Sequence, residues 1–158
     1  MLPVDSDVEA GEDAAGVAKP VHLYWRNIGW VALGGAVGTG ARYLIGEAVP
    51  PMAGIPVTTF AINVLGAFLL GAVLEGLALR GKDAGRRRTA RLLVGTGALG
   101  GFTTYSTLAN DTVVLLAVAP VHAVGYALLT VVAGAAASLA GIALMRRLGP
   151  RPGGSSAR

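Results

Sequence analysis

The chain has 158 residues, a net charge of +4, no cysteine, and only 14% charged residues against 53% hydrophobic ones. Soluble domains carry about 25% charged residues, and a mean hydropathy of +0.61 places this sequence among membrane proteins. The lack of cysteine excludes a disulfide framework and a thiolate metal site. The positive charge sits in short clusters outside the apolar runs, which points to membrane orientation rather than nucleic-acid binding.

Residues 1–23 form an acidic extension with Asp5, Asp7, Glu9, Glu12 and Asp13. It is too poor in apolar residues to fold alone, so the expectation is a disordered segment. An acidic rather than basic lead into the apolar run argues against a signal peptide. The first span is expected over 27–46, with Trp25 and Trp30 at its start, where interfacial aromatics belong. Gly34 and Gly38 are spaced for close helix contact, and Arg42 lies near the far end. Pro50, Pro51 and Pro56 end this helix and start the next.

The second span, 57–79, contains one strongly polar side chain, Asn63. A short basic loop follows with Arg80, Lys82, Arg86, Arg87, Arg88 and Arg91. The third span is expected over 92–118. Residues 112–145 are again uncharged, too many for one span of about 20 residues. Pro120 divides them and leaves a fourth span over 122–145, with Gly134 and Ser138 as a second small-residue pair. After Arg146 and Arg147, residues 148–158 form a Gly/Pro/Ser/Arg tail expected to be disordered. The expectation is thus an all-α membrane protein with four transmembrane helices, its membrane domain covering 24–147. Loops this short leave no room for a soluble catalytic domain, and an ion route needs two copies, or two related chains, packed together.

The third span carries the most informative stretch, Leu99-Gly100-Gly101-Phe102-Thr103-Thr104-Tyr105-Ser106-Thr107-Leu108. Two glycines followed by two threonines are a poor helix interior. A backbone break in hydrocarbon survives only where protein, an ion or a water-filled path satisfies its N–H and C=O groups. A break at mid-membrane depth in the third helix therefore suggests ion handling.

Four patches together resemble the Fluc (CrcB-type) fluoride channels, over about residues 27–147. Gly34-Gly35-Ala36-Val37-Gly38-Thr39-Gly40-Ala41-Arg42-Tyr43 is similar to the family's first-helix pattern. Thr59-Phe60-Ala61-Ile62-Asn63-Val64-Leu65-Gly66-Ala67-Phe68 is similar to that of the second helix. The glycine–threonine stretch resembles the family's third-helix break, and Tyr126 and Thr130 sit where its fourth helix has Tyr and Ser. The resemblance implies a fluoride channel working as an antiparallel dimer. It implies a structural sodium ion held by the backbone carbonyls of Gly100 and Thr103, and a pore lined by Asn63. It places the family's two pore phenylalanines at Tyr105 and Leu108, and its vestibule groups at Arg42 and Asp111. Tyr105 keeps a ring and adds a hydroxyl; Leu108 offers no ring edge, so the aromatic box is incomplete in this subunit.

The residue chemistry agrees with an anion path. A bare fluoride in hydrocarbon is prohibitively costly, so donors must replace water. Asn63 has two N–H groups, and Tyr105, Ser106, Thr107 and Thr130 have hydroxyls. Between Asn63 and Leu108 the only acidic groups are Glu75 and Asp83, near or in the basic loop. The carbonyls of the break favour a small fixed cation instead. Other roles stay open. Asn63 also suits cross-bonding of helices, and the hydroxyls suit bonds to their own helix carbonyls. Gly100 and Gly101 suit close packing, Tyr105 and Tyr126 suit core or interfacial positions, and Arg42 suits snorkelling. Asp111, a carboxylate within a span, needs a partner or water.

No nucleophile–base pair or metal cluster is visible, so the chain does not read as an enzyme. Two alternatives to a fluoride exporter remain. One is a four-helix proton-coupled multidrug exporter, weakened by a first span without a carboxylate. The other is a non-conducting assembly subunit, to which Leu108 lends weight. Twelve of the thirteen basic residues fall on one side of the four spans. The positive-inside rule then puts both termini in the cytoplasm, with the protein in the plasma membrane. Such a bias suits one half of a heterodimer whose partner is a homologue of opposite orientation.

Overall fold

The computed structural model of the chain describes residues 10–12, 18–20, 24–49 and 55–149. The disordered segments expected at 1–23 and 148–158 lie mostly outside these residues. Within the first, strand β1 (Ala10–Glu12) pairs antiparallel with β2 (Ala18–Pro20), in the register Ala10↔Pro20 and Glu12↔Ala18.

The rest is helical. Helix α1 spans Trp25–Ala48 and α2 spans Val57–Ala78. A short α3 (Arg86–Ala90) runs straight into a π-helical segment, Arg91–Leu99, and then into α4, Gly100–Phe102. The backbone is extended at Thr103 and Thr104, and helix resumes as α5, Tyr105–Val118. Helix α6 covers Pro120–Leu148. Pro120 is thus its first-turn residue, a position where the missing N–H costs nothing.

Helix α2 lies along α6, α1 lies along the π-helical segment and α4, and α5 packs on α6. Glycines set these approaches. A Cβ at Gly34 would run into the Leu93 carbonyl, and one at Gly38 into the Ala98 carbonyl. The α2–α6 crossing depends in the same way on Gly71 against Ser138 and on Gly141 against Phe68. Of the pair expected on α6, Ser138 takes part in that contact, whereas Gly134 has room, with Ala67 Cβ at 3.9 Å from a Cβ placed there. Nine residues of π-helix exceed the usual single-turn bulge, and nothing in the hydrophobic pattern announces them.

The interior is small. Leu108 and Leu115 of α5 meet Ala123 and Tyr126 of α6, with Phe60 of α2 packed against them. Large apolar side chains instead point outward, among them Leu33, Val37 and Leu44 on α1 and Leu128, Val131 and Leu139 on α6. This inside-out distribution, with glycine-tight contacts within, belongs to an all-α membrane protein, since lipid tails are as apolar as leucine. Helices α2 and α6 are each long and apolar enough to cross a bilayer.

Candidate functional site at the helix interruption

Phe102 is the last helical residue before the interruption. Thr103 takes φ −74°, ψ 156°, and Thr104 takes φ −148°, ψ 119°. Two extended residues free the backbone groups on either side, and each needs an account.

Side chains from α1 and α2 provide most of it. Asn63 Oδ1 accepts from the Thr104 N–H at 2.8 Å, and Asn63 Nδ2 donates to the Thr104 carbonyl at 3.0 Å. Thr39 Oγ1 and Arg42 Nε both donate to the Gly101 carbonyl, each at 3.3 Å. The Leu99 carbonyl accepts the Thr103 N–H at 3.0 Å and its hydroxyl at 2.9 Å. The Thr103 methyl packs on α2 where Gly66 leaves space, since a Cβ there would collide with it.

Thr104 is the hub. Its residue is 8% exposed, and its Oγ1 accepts from the Thr107 N–H at 3.1 Å, capping α5. The same oxygen lies 3.0 Å from Thr107 Oγ1 and 3.2 Å from Ser106 Oγ. Two N–H groups are thereby diverted. A continuing helix would give the Thr104 N–H to the Gly100 carbonyl and the Thr107 N–H to the Thr103 carbonyl. Here Asn63 and Thr104 Oγ1 take them. The Gly100 and Thr103 carbonyls are released from helical pairing, and Gly100 has open space around it. Hard, neutral oxygens of this kind suit a small alkali cation, so these residues fit the sodium ion that the resemblance implies.

The interruption separates two concavities. The first, about 260 Å³, is lined by Arg42, Glu47, Thr59, Thr104, Thr107 and Asp111, among others. Asp111 Oδ2 is buried there without a hydrogen-bond partner. The second is an open groove of about 230 Å³ lined by Asn63, Thr103, Thr104, Tyr105, Leu108 and Thr130, among others. Thr104 borders both.

The sequence-predicted residues divide accordingly. Asn63, Thr103, Tyr105, Leu108 and Thr130 share the groove. Arg42, Thr107 and Asp111 share the cavity. Tyr105 is 83% exposed, and Ser106 is exposed beside it. Leu108 is 8% exposed and belongs to the apolar cluster as well as to the groove wall. Thr130 is 3% exposed and gives its proton to the Tyr126 carbonyl at 2.7 Å. Tyr126 is buried, with its hydroxyl 3.5 Å from the Pro56 carbonyl. Thr39, Gly66 and Thr104 are residues the sequence reading did not single out. Threonine is a favoured N-cap residue, but Thr103 and Thr104 meet that preference equally, and it is the backbone that makes Thr104 the cap of α5.

An interrupted helix braced by polar side chains, in a helical shell with an apolar exterior, defines an all-α membrane protein. The sequence profile of the CrcB family, described as "CrcB-like protein, Camphor Resistance (CrcB)", matches residues 29–142, and the chain belongs to that family. It is similar to the Leifsonia xyli subsp. xyli protein named "Fluoride-specific ion channel FluC 2", at 55% identity over 138 residues, 87% of this chain and 95% of that protein. It is 41% identical to "Fluoride-specific ion channel FluC" of Methanopyrus kandleri over 127 residues, 78% of this chain and 92% of that protein. With "Fluoride-specific ion channel FluC 1" of Cutibacterium acnes it shares 54% identity over 82 residues, 51% of this chain and 57% of that protein.

Proposed function

We propose that this chain is a fluoride-selective channel subunit that lets fluoride leave the cytoplasm down its gradient. The observation that carries this reading is Thr104. It is the one extended residue that borders both concavities, and it is held there by Asn63. The names of the curated relatives support fluoride as the ion.

Donors are arranged where a dehydrated anion needs them. Asn63 spends one N–H on Thr104 and keeps the second. The hydroxyls of Tyr105, Ser106 and Thr107 flank the same turn. Thr130 donates to its own helix and joins this track only by giving up that bond. Asp111 lines the cavity with Arg42 and is not among the residues of the groove. Fluoride passes between cavity and groove by exchanging donors, with no covalent step.

We further propose an antiparallel dimer of four-span subunits. The groove is open and Tyr105 is uncovered, so a second subunit closing over this face completes the path. Gly100 and Thr103, with their counterparts in that subunit, would hold a structural sodium ion. The ion supplies fixed positive charge at the centre of the dimer. The charge bias of the loops supports a homologue of opposite orientation as partner, and the numbered names FluC 1 and FluC 2 support organisms that carry more than one such chain.

The test is efflux from liposomes containing the chain with its partner, loaded with fluoride or with chloride. Fluoride is expected to leave rapidly and chloride to stay. Comparable rates for the two ions overturn the reading, and fluoride movement that requires a proton gradient replaces the channel with a coupled exporter.

A further inference from the structure

The stretch from Arg80 to Arg91, made of the loop after α2, α3 and the first π-helical residue, carries six basic residues and one carboxylate. A solvated charge run of that composition would repel itself and stay open. This one is folded. Gly81 and Gly85 take φ of 114° and 54°, a region open to glycine, and turn the backbone. Arg80 Nη1 donates to the Gly76 carbonyl at 2.6 Å, satisfying the end of α2. Arg87 gives Nε to the Lys82 carbonyl at 3.1 Å and Nη1 to the Arg80 carbonyl. Asp83 Oδ2 lies 2.8 Å from Arg91 Nη2.

Folding the loop this way encloses a cavity of about 250 Å³ at the end of α2. One wall is apolar, from Leu74, Leu77 and Ala78; the other carries Asp83, Arg87 and Arg91. Asp83 neutralises one cation, so positive charge remains in large excess. Donors also remain. Arg91 Nε is buried without a partner, and Arg87 Nη2 is not used by either of its bonds. Lys82 and Arg86 stand exposed beside the cavity, without an ion pair among the described residues. Arg147, at the end of α6, is exposed near by, since Gly149 packs on Leu79.

We propose that this cavity binds an anionic phospholipid, with the phosphate on the guanidinium groups of Arg87 and Arg91 and the acyl chain against Leu74 and Leu77. Guanidinium forks match phosphate oxygens, and basic residues at the end of a membrane helix attract anionic headgroups by about 1 kcal/mol each. The apolar wall formed by Leu74, Leu77 and Ala78 selects a lipid over free phosphate. Binding here is independent of which way the chain is inserted and of what it conducts.

The experiment is native mass spectrometry of the full-length protein in detergent, titrated with phosphatidylglycerol or phosphatidylcholine of the same acyl composition, and separately with inorganic phosphate. Phosphatidylglycerol is expected to be retained at least about fivefold better than phosphatidylcholine, the ratio worth about one basic residue. The double variant Arg87→Gln/Arg91→Gln is expected to erase the preference. Because Arg87 also ties the loop together, a second variant is needed. Lys82→Gln removes no internal bond of the loop; as the loss of one basic residue, it is expected to lower phosphatidylglycerol retention about fivefold with an unchanged melting temperature. Equal retention of the two lipids, or an unchanged preference in this second variant, overturns the proposal. So does displacement of the lipid by equimolar inorganic phosphate, because the apolar wall then contributes nothing.

Discussion

Asn63 holds Thr104 by both of its backbone groups, accepting its N–H at 2.8 Å and donating to its carbonyl at 3.0 Å. The carboxamide does what a neighbouring β-strand would do, from a helix 41 residues away. Thr104 is extended, and its orphaned groups are thereby satisfied without water. Bracing and anion solvation are not alternatives for this side chain, because a carboxamide has two N–H groups and the brace uses one.

Asn63→Ala is therefore expected to cost both stability and transport. It leaves a donor and an acceptor of Thr104 unpaired, at about 1–3 kcal/mol each. Asn63→Asp keeps the acceptor, loses the donor and adds negative charge to the groove, so it should abolish fluoride efflux at a smaller loss of stability. Melting in detergent and efflux from liposomes separate the two effects. An Asn63→Ala protein that melts and conducts like the parent would remove Asn63 from the site.

Thr104 gives a second test. Thr104→Val removes the hydroxyl that caps α5 and should cost about 1 kcal/mol, while Thr104→Ser keeps the cap. Efflux is expected to fall in the valine variant and to persist in the serine variant. Loss of efflux in both would mean that the methyl, not the hydroxyl, matters here.

Much of this was legible in the sequence, and the exceptions have physical causes. Runs of about 20 uncharged residues set the helices, and the ten-residue stretch from Leu99 to Leu108 contains the two extended residues, Thr103 and Thr104. Arg42 and Asp111 line one cavity. The π-helical segment was not legible, because nothing in the hydrophobic pattern over residues 91–99 distinguishes it from α-helix. Thr103 is named by the resemblance for its carbonyl, and nothing in the sequence separates the side-chain role of Thr104 from that of its identical neighbour. Only the backbone angles decide which side chain turns toward α5 and which back toward Leu99. The Thr130 hydroxyl is spent within α6, one of the two roles the sequence left open for it; the choice between them depends on a rotamer.

The released carbonyls of Gly100 and Thr103 make the sodium proposal testable on assembly as well as on flux. Nothing in the protomer lies within 4 Å of a Cβ at Gly100, so Gly100→Val should leave the subunit folded. In a dimer centred on these carbonyls, the same side chain should weaken association and remove any stabilisation by sodium over potassium. Size-exclusion chromatography and melting in the two salts are the measurements. A valine variant that dimerises normally, with sodium-dependent melting intact, refutes the site.

Tyr105 and Leu108 should behave in opposite ways. Tyr105 is 83% exposed, so Tyr105→Ala should change the stability of an isolated subunit by no more than about 0.5 kcal/mol and act on dimerisation and efflux. Leu108 is 8% exposed in the main apolar cluster, so Leu108→Ala should cost about 2–5 kcal/mol wherever the partner is. If Tyr105→Ala destabilises the monomer, the exposed ring is packed against the subunit's own helices and the open face is not where a second subunit sits.

The last expectation concerns orientation. Of thirteen basic residues, twelve lie before the first span, in the loop after α2 or beyond the fourth span, one side of a four-span chain. The thirteenth, Arg42, is not a loop charge at all, because its Nε is committed to the Gly101 carbonyl at 3.3 Å. No basic residue therefore opposes the bias, and by the positive-inside rule both termini are expected in the cytoplasm. An antiparallel homodimer needs copies inserted both ways, which a chain so unbalanced does not supply. Expressed alone, it should give little fluoride efflux, and tags on either terminus should be accessible from the cytoplasmic face only. Co-expression with a homologue of opposite loop charge should restore efflux and yield a mixed dimer. Robust efflux from this chain alone, with termini detected on both faces, would show that it pairs with itself.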